Sequence, residues 1–231
     1  MWGSNNLSMN LSFIIPTLNE ERALLSNLIF LKKIRKYLNA ELIVVDGGSH
    51  DSTVSIAKTL SCDVYTSEAS RSKQFNLGAK HANGKYLVFL HADTILDNDA
   101  INHLKNINKD IKWGFFNVKI KSNNFKYKML SALINIRSRF FNYATGDQAM
   151  VMENKFFYRV KGFREIYLME DIDLCNRIKK LSKPILIKGF AITSSRRWEK
   201  YGFFKTIFLM RFLRILYFLG VNDKFLASIY K

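Results

Sequence analysis

Short apolar runs alternate with helical stretches through the first half of the chain. Four of the runs have the length and composition of buried β-strands. They occupy residues 11–17, 41–46, 62–67 and 85–92. Segments with helical spacing or helix-start signals separate them. These are residues 19–38, 52–60 and 70–84. Strands that alternate with helices in this way are typical of βαβ units, so we predict an α/β fold whose mostly parallel central sheet is covered by helices on both faces.

The second half of the chain is less regular. Strand-like patterns occur at residues 112–122, 147–153 and 183–195. Helical patterns occur at residues 125–141, 170–181 and 200–219. The pattern at 170–181 begins with acidic residues and ends with basic ones, as the helix dipole favours. No repeat, low-complexity tract or linker divides the 231 residues, so we expect a single domain over residues 10–231.

The chain is strongly basic, with a formal net charge of +17 from 36 basic and 19 acidic residues. Such a charge favours anionic partners, although general lysine enrichment explains part of it. There is no basic recognition helix, RNA-binding strand signature or zinc-finger spacing, so specific nucleic-acid binding is not expected. Cys62 and Cys175 match no metal spacing and are interpreted as reduced thiols of a cytoplasmic protein.

Polar residues follow several of the predicted strands, where ligands of parallel α/β sheets bind. They are Thr17, Asn19, Glu20, Asp46, His91 and Asp93. Arg71 and Gln74 open a helix near the same edge. Any one of them could be a turn or cap residue. Together they predict a pocket with carboxylates for a ribose or a metal and cations for phosphate. The chain has neither a dinucleotide fingerprint nor a P-loop.

Six segments carry a family resemblance, because their order and spacing resemble those of family 2 glycosyltransferases. They are "FIIPTLNEE", "ELIVVDGGSHDST", "KYLVFLHADT", "GDQAMV", "GFREIYLMEDIDL" and "SSRRWEKYG". The chain looks closest to small stand-alone bacterial members. The resemblance implies the GT-A fold, with a nucleotide-sugar half at 10–95, an acceptor half at 96–199 and a C-terminal helix at 200–231.

The resemblance also implies a donor site and a metal. The donor residues would be Pro16, Thr17, Asn19, Glu20, Asp46, Arg71, Gln74, Ala92 and Asp93. Asp93 stands at the last position of the family's D-x-D metal motif, and His91 replaces the first aspartate. Asp93 remains a suitable ligand for Mn²⁺ or Mg²⁺, which one or two carboxylates and substrate phosphates commonly hold. His91 is either a second ligand, a phosphate contact or a packed residue at the strand end.

On the acceptor side, the resemblance implies an inverting transfer in which Asp171, beside Glu170, is the general base. Around the acceptor or diphosphate it places two further segments, Gly146, Asp147 and Gln148, and Arg196, Arg197 and Trp198. From the residues alone, alternatives remain for each segment. Glu170 and Asp171 could cap a helix through its dipole, residues 146–148 could be a tight turn before a strand, and residues 196–198 could be a surface basic pair beside a buried Trp. We expect Asp173 to be a solvated helix residue.

The last predicted helix, 200–219, is apolar around nearly its whole circumference. Arg211 and Arg214 are neighbours at i, i+3, whereas Lys205 falls on roughly the opposite face. Such a helix suits the core, a homodimer surface or a membrane surface. Basic charge beside Phe and Leu favours anionic lipid, so we expect peripheral contact with the inner face of the plasma membrane.

The expected function is therefore transfer of a sugar from a nucleotide-diphosphate sugar to a lipid-linked or small-molecule hydroxyl acceptor. Two alternatives remain open at this point. A nucleotidyltransferase can share a similar nucleotide-binding half, but it would need a second metal carboxylate. A non-catalytic module that binds nucleotide or lipid would account for the positive charge alone.

Overall fold

The computed structural model describes residues 10–107 and 111–230. Its strands are β1 (Leu11–Thr17), β2 (Ala40–Asp46), β3 (Asp63–Thr66), β4 (Tyr86–Phe89), β5 (Thr94–Leu96), β6 (Trp113–Lys121), β7 (Met150–Glu153) and β8 (Ile185–Ser194). The helices are α1 (Glu21–Leu38), α2 (Thr53–Thr59), α3 (Arg71–His81), α4 (Asn98–Lys105), α5 (Phe125–Phe141), α6 (Asn154–Arg159), α7 (Glu170–Ile178), α8 (Arg196–Tyr201), α9 (Phe203–Phe218) and α10 (Asp223–Tyr230). In that part of the chain, no helix is long and apolar enough to cross a membrane.

All eight strands belong to one mostly parallel sheet, in the order β3-β2-β1-β4-β7-β6-β8-β5. The predicted α/β class is confirmed. β3, β2, β1 and β4 run parallel, and β6 pairs with β8 in the same sense. β7 is antiparallel to both β4 and β6, and β5 is antiparallel to β8. The register pairs Thr17 with Asp46, so the ends of β1 and β2 meet at one edge.

Helices cover both faces of the sheet because the central strands are apolar on both sides. Phe13 of β1 belongs to one core cluster, with Leu24 and Leu28 of α1. Ile14, the next residue, belongs to the other, with Phe75 of α3. The alternation follows from the two-residue period of a strand. Burying each of these side chains contributes about 1.5–3 kcal/mol before entropic costs.

The predicted strand at 147–153 is wrong at its start. Gly146–Gln148 form a short 3₁₀ turn, and β7 begins at Met150. The Gln148 side chain accepts a hydrogen bond from the backbone N of Thr145 at 3.1 Å, which closes the turn. Ala149 then has a φ of 44°, which no strand residue adopts.

The predicted helix at 200–219 is also different, because Gly202 has a φ of 89° and divides it into α8 and α9. Four short elements were not predicted, namely β5, α4, α6 and α10. Each is three to eight residues long, too short for a periodic pattern to show. The predicted end of the domain, Lys231, lies outside the described residues.

Candidate functional site

A cavity of about 800 Å³ lies beyond the carboxyl ends of β1 and β4. Such a volume is typical of a pocket for a drug-sized ligand. Fourteen of the residues singled out from the sequence line it. They are Pro16, Thr17, Glu20, Arg71, Gln74, His91, Ala92, Asp93, Gly146, Asp147, Asp171, Arg196, Arg197 and Trp198. Asn19, Asp46, Gln148 and Glu170 do not line it.

Asp46 anchors the loop that follows β2. Its buried carboxylate accepts hydrogen bonds from Thr17 Oγ1 at 3.1 Å and from the backbone N of Gly48 and Ser49 at 2.9 and 2.8 Å. The loop is also tied to Asn19, whose Oδ1 accepts from the backbone N of His50 at 2.9 Å. Both residues thus shape the loop beside the cavity, and their contact with a nucleotide stays a prediction.

Gln74 and Gln148 hold backbone segments around the cavity. Gln74 Nε2 donates to the carbonyls of Thr17 and Val45, at 2.8 and 2.7 Å, and so joins the ends of β1 and β2. Gln148 Oε1 accepts from Ser138 Oγ at 2.7 Å and is fully buried. The sequence indicated polar ligand contacts at these positions, whereas the structure gives both amides buried protein partners.

Two acidic residues, Asp93 and Asp147, line the cavity and are called the acidic pair below. The charge of His91, which lines the same cavity, acts on both of their carboxylates. His91 Nδ1 is 3.6 Å from Asp147 Oδ1. Burial alone would lower the pKa of His91, but the Asp147 carboxylate outweighs it and the pKa lies above its ordinary value. Burial alone would raise the pKa of Asp147, but His91 and Arg71 outweigh it and the pKa is lowered.

The other ring nitrogen of His91, Nε2, packs against Gly146. Nε2 is buried without a hydrogen-bond partner, and a Cβ built on Gly146 would lie 2.4 Å from it. One nitrogen therefore faces Asp147, and the other packs on Gly146. This contact pattern favours the packed strand-end interpretation of His91 over metal ligation.

The acidic pair fits a divalent cation by its chemistry. Burial raises the pKa of Asp93, and the charge of Asp147 raises it further, against the opposing effect of His91. A cation between the two carboxylates would relieve that repulsion. No three His, Cys, Asp or Glu side chains within 10–107 and 111–230 form a group that could hold a metal alone. Phosphate oxygens would have to complete the coordination, as they commonly do for Mg²⁺.

Glu170 and Arg71 form an ion pair at one wall of the cavity, with 2.9 Å between Oε1 and Nε. The Glu170 side chain is only 3% exposed, whereas that of Arg71 is 35% exposed and reaches the cavity. Burial raises the pKa of Glu170 despite the nearby guanidinium. Glu170 therefore positions Arg71 and does not itself face a ligand.

Asp171 points its carboxylate into the cavity from the first turn of α7. Oδ2 accepts from the backbone N of Gly146 at 2.7 Å, and Oδ1 accepts from the backbone N of Ile172 at 2.7 Å. These bonds fix the orientation of the carboxylate.

The prediction that Asp173 is solvated is wrong. It is buried and pairs with Arg164 at 3.1 Å and Arg177 at 2.8 Å.

The C-terminal helices complete the cavity. Arg196 pairs with Glu20 at 2.8 Å, which joins α8 to the segment after β1. The Arg197 guanidinium lies over the ring of Tyr230, 3.7 Å from its centroid, and Nη2 donates to the Tyr230 carbonyl at 3.0 Å. Trp198 also lines the cavity and makes an edge contact with Tyr127.

Several lining residues were missed from the sequence, namely Thr206, Met210, Arg214, Lys224, Ala227, Ser228 and Tyr230. Of these residues, the sequence could have indicated only Arg214, because it is a charged residue within an otherwise apolar helix. The α10 residues gave none, because their position depends on how α10 packs on α9.

A family model described as "Glycosyl transferase family 2" matches residues 12–167. Among solved structures, the chain is similar to a mannosyltransferase from Pyrobaculum calidifontis in complex with GDP-Man and Mn²⁺, with 17% identity and a TM-score of 0.58. It is also similar to S. aureus TarS in complex with UDP, with 18% identity and a TM-score of 0.55. Both alignments show the fold.

A third similar structure is glucosyl-3-phosphoglycerate synthase from Mycobacterium tuberculosis in complex with Mn²⁺, UDP and glucosyl-3-phosphoglycerate, with 16% identity and a TM-score of 0.53. The three alignments cover 81%, 80% and 84% of this chain. The chain spans 57% of the first two proteins' chains and 76% of the third's. No curated protein matches the sequence.

Proposed function

Because the chain belongs to glycosyltransferase family 2, we propose that it transfers a sugar, with inversion, from a nucleotide-diphosphate sugar to a hydroxyl acceptor. One observation carries the proposal. The turn Gly146–Gln148 holds Asp171 through the Gly146 amide and presents Asp147 to His91, so a single cavity combines a candidate base with an acidic pair. Solved neighbours in complex with GDP-Man or UDP support a nucleotide-sugar donor.

In this proposal, residues 10–95 bind the donor and residues 96–199 form the acceptor half. Asp93, with Asp147 beside it, would hold a Mn²⁺ or Mg²⁺ ion through carboxylate oxygens. The ion would neutralise charge on the departing diphosphate. Mn²⁺ in two of the neighbour complexes supports this assignment. Arg71 and Arg197, which line the same cavity, supply further positive charge for the diphosphate.

Asp171 would act as the general base. Its carboxylate takes the proton of the acceptor hydroxyl as that oxygen forms a bond to the anomeric carbon. The bond between the anomeric carbon and the diphosphate breaks, and its electron pair leaves on the phosphate oxygen. The two backbone hydrogen bonds of Asp171 keep the carboxylate in one orientation throughout.

A thermal-shift screen of UDP-, GDP- and dTDP-sugars, with and without Mn²⁺, tests the donor site. We expect at least one nucleotide sugar to raise the melting temperature, and more so with the metal. Mass spectrometry of the products then separates the reaction classes. Release of a nucleoside diphosphate supports sugar transfer, and release of pyrophosphate supports a nucleotidyltransferase. If no nucleotide stabilises the protein, the proposal fails.

We also propose that the enzyme works in the cytoplasm at an anionic membrane surface. α5 and α9 lie side by side, since the Phe203 ring meets the Tyr127 ring at 5.3 Å. Their outer faces expose large apolar side chains, with Phe125, Phe140, Phe204 and Phe208 between 74% and 82% exposed. The two helices contain four and three basic residues and no acidic one.

Basic side chains would bind anionic headgroups while the exposed aromatic side chains insert into the apolar part of the membrane. A lipid-linked acceptor would reach the cavity from the same surface. The test is co-sedimentation with vesicles of phosphatidylcholine alone or with phosphatidylglycerol. We expect binding only to the anionic vesicles, and weaker binding of Phe204→Ser/Phe208→Ser. Absence of binding at low salt would refute the membrane proposal. A concentration-dependent dimer that the same substitutions dissociate would favour a second copy of the chain instead.

A further inference from the structure

Arg137 of α5 and Arg214 of α9 are half-buried arginines, and the charge of Arg214 acts on Arg137. The Nε atoms of both are buried and have no hydrogen-bond partner. Neither residue takes part in any of the ion pairs of the described residues. The contacts of Arg137 are a 3.3 Å bond from Nη2 to Ser138 Oγ and a position over the Tyr143 ring.

This arrangement is unfavourable without a counter-ion. Burial, and then the like charge of Arg214, lowers the pKa of Arg137 to about 10, which leaves it charged at neutral pH. Buried charges in folded proteins are normally paired, because an unpaired one loses its hydration without compensation. The groups that a guanidinium pairs with best are carboxylate and phosphate, which its fork of N–H donors matches.

Arg214 connects the two arginines to the cavity, because it is one of the lining residues and Arg137 is not. Arg214, Met210 and Thr206 follow one another at four-residue spacing, so they share the face of α9 that lines the cavity. The hydroxyl of Thr206 is also buried without a partner. The carboxylates whose charge reaches Arg137 are Asp171 and Asp147, on the side of the candidate base.

We propose that Arg137 and Arg214 bind a phosphate group of the acceptor and so place its hydroxyl beside Asp171. The inference rests on the proposed function and deepens it, because it gives the acceptor a chemical class, an alcohol that carries a phosphate. The phosphate could belong to a soluble ester or to a lipid headgroup. Both sources present the same oxyanion to the two guanidinium groups.

The first experiment titrates inorganic phosphate into the full chain while the melting temperature is followed. It is run without nucleotide and again with UDP or GDP and Mn²⁺ present. We expect phosphate to stabilise the wild type in both cases. Arg214→Gln and Arg137→Gln should lower the affinity for phosphate by about tenfold to a hundredfold. Arg211→Gln is the matched control, since it removes the same charge from an exposed position on the same helix.

Equal stabilisation of the wild type and Arg214→Gln would overturn the proposal. So would loss of phosphate binding when the nucleotide is added, because the anion would then occupy the donor site. Arg137→Met guards against a folding defect. It should be at least as stable as the wild type in phosphate-free buffer, since it removes an unpaired buried charge. If nucleotides fail to bind while the arginine-dependent phosphate effect persists, the proposed donor fails and the anion site stands.

A second experiment distinguishes the two sources of phosphate. Glycerol 3-phosphate and phosphatidylcholine vesicles containing phosphatidic acid are compared as ligands of the wild type, Arg211→Gln and Arg214→Gln. Loss of glycerol 3-phosphate binding in Arg214→Gln alone supports a soluble ester. Loss of vesicle binding in Arg214→Gln beyond that in Arg211→Gln supports a headgroup. If Arg214→Gln binds both ligands as tightly as the wild type does, the assignment is contradicted.

Discussion

The backbone amide of Gly146 donates a hydrogen bond to Oδ2 of Asp171, with 2.7 Å between the two atoms. The amide belongs to a 3₁₀ turn, so backbone rather than another side chain orients this carboxylate. The amide of Ile172 holds Oδ1 in the same way. Each carboxylate oxygen can accept two hydrogen bonds, which leaves capacity for the hydroxyl of an acceptor.

Gly146→Ala should slow transfer and leave nucleotide affinity nearly unchanged. The new Cβ would lie 2.3 Å from Cε1 of His91, so either the ring or the turn must shift. A shifted turn moves the amide that orients Asp171. Small misplacement of a catalytic group lowers turnover by about a hundredfold. Steady-state kinetics at saturating donor would measure this loss as a lower kcat.

A double-mutant cycle with His91→Ala gives the control for that prediction. Removing the His91 ring creates the space that the methyl group of Gly146→Ala needs. The glycine substitution should then cost clearly less than in the wild type, because residues in contact are not additive. An equal loss of kcat in the two backgrounds would show that the clash with His91 is not the cause.

Asp171→Asn should abolish most of the transfer activity while the protein stays folded. The asparagine oxygen can still accept the hydrogen bond from the Gly146 amide, but the side chain cannot take a proton. Loss of a general base lowers kcat by about a hundredfold to ten-thousandfold. The melting temperature should fall slightly, because Nδ2 of the asparagine cannot accept from the Ile172 amide as Oδ1 does, and the nucleotide-induced shift should match that of the wild type. Activity close to the wild-type value would exclude Asp171 as the base.

Asp93→Asn should raise the Mn²⁺ concentration that half-maximal activity requires, because a neutral amide is a poorer ligand than a carboxylate. His91→Ala should lower stability and raise that concentration much less, since the ring packs on Gly146 and acts on the metal only through its contact with Asp147. Metal titrations after chelator treatment measure both values. A rise for His91→Ala as large as that for Asp93→Asn would instead make His91 a ligand.

The edge of the sheet at which the site lies could be predicted from local patterns alone. Parallel strands end at one edge, so Thr17 at the end of β1 and Asp93 in the segment after β4 are brought to the same side of the sheet. The sequence could not show which polar groups turn away from the cavity. Asp46 has the residue type of a ligand contact, but its carboxylate accepts from the backbone of Gly48 and Ser49 in the next loop, and Gln74, although it lines the cavity, donates to the distant carbonyls of Thr17 and Val45.

The cavity wall formed by α9 and α10 could not be predicted from the sequence pattern either. The charge of Arg214 acts on Arg137 because two helices distant in sequence pack together, and no spacing encodes such a contact. The same holds for Tyr230, whose ring reaches Arg197 from the last helix. Periodicity identifies which residues share a face, but not what that face meets.

Glu20→Gln should flatten the pH dependence of stability on the acidic side. Burial raises the pKa of Glu20 above 4.5, although its ion pair with Arg196 opposes the shift. As the pH rises past 4.5, the unfolded state ionises first, so the contribution of Glu20 to stability falls until the pH passes its folded pKa. Urea melts from about pH 4 to about pH 7 should show a steeper decline in the wild type than in Glu20→Gln, because Asp93 and Glu170, whose pKa values burial also raises, contribute equally to both. A decline of equal steepness in the two proteins would contradict the assignment.

Asp173→Ala should unfold the protein more easily without touching the chemistry. Its carboxylate is buried between Arg164 and Arg177, and Arg177 also donates to the carbonyl of Gly162 at 2.6 Å. Loss of this carboxylate should cost about 1.5–3 kcal/mol, as for a hydrogen bond to a charged group, because Arg177 is only 22% exposed, whereas Arg164 is 65% exposed and can be rehydrated. Asp99→Ala, an exposed aspartate in the first turn of α4, should cost less than about 1 kcal/mol. Urea unfolding of the two variants measures the difference. Per folded molecule, Asp173→Ala should keep its kcat, because the carboxylate of Asp173 faces the arginines and that of Asp171 faces the cavity.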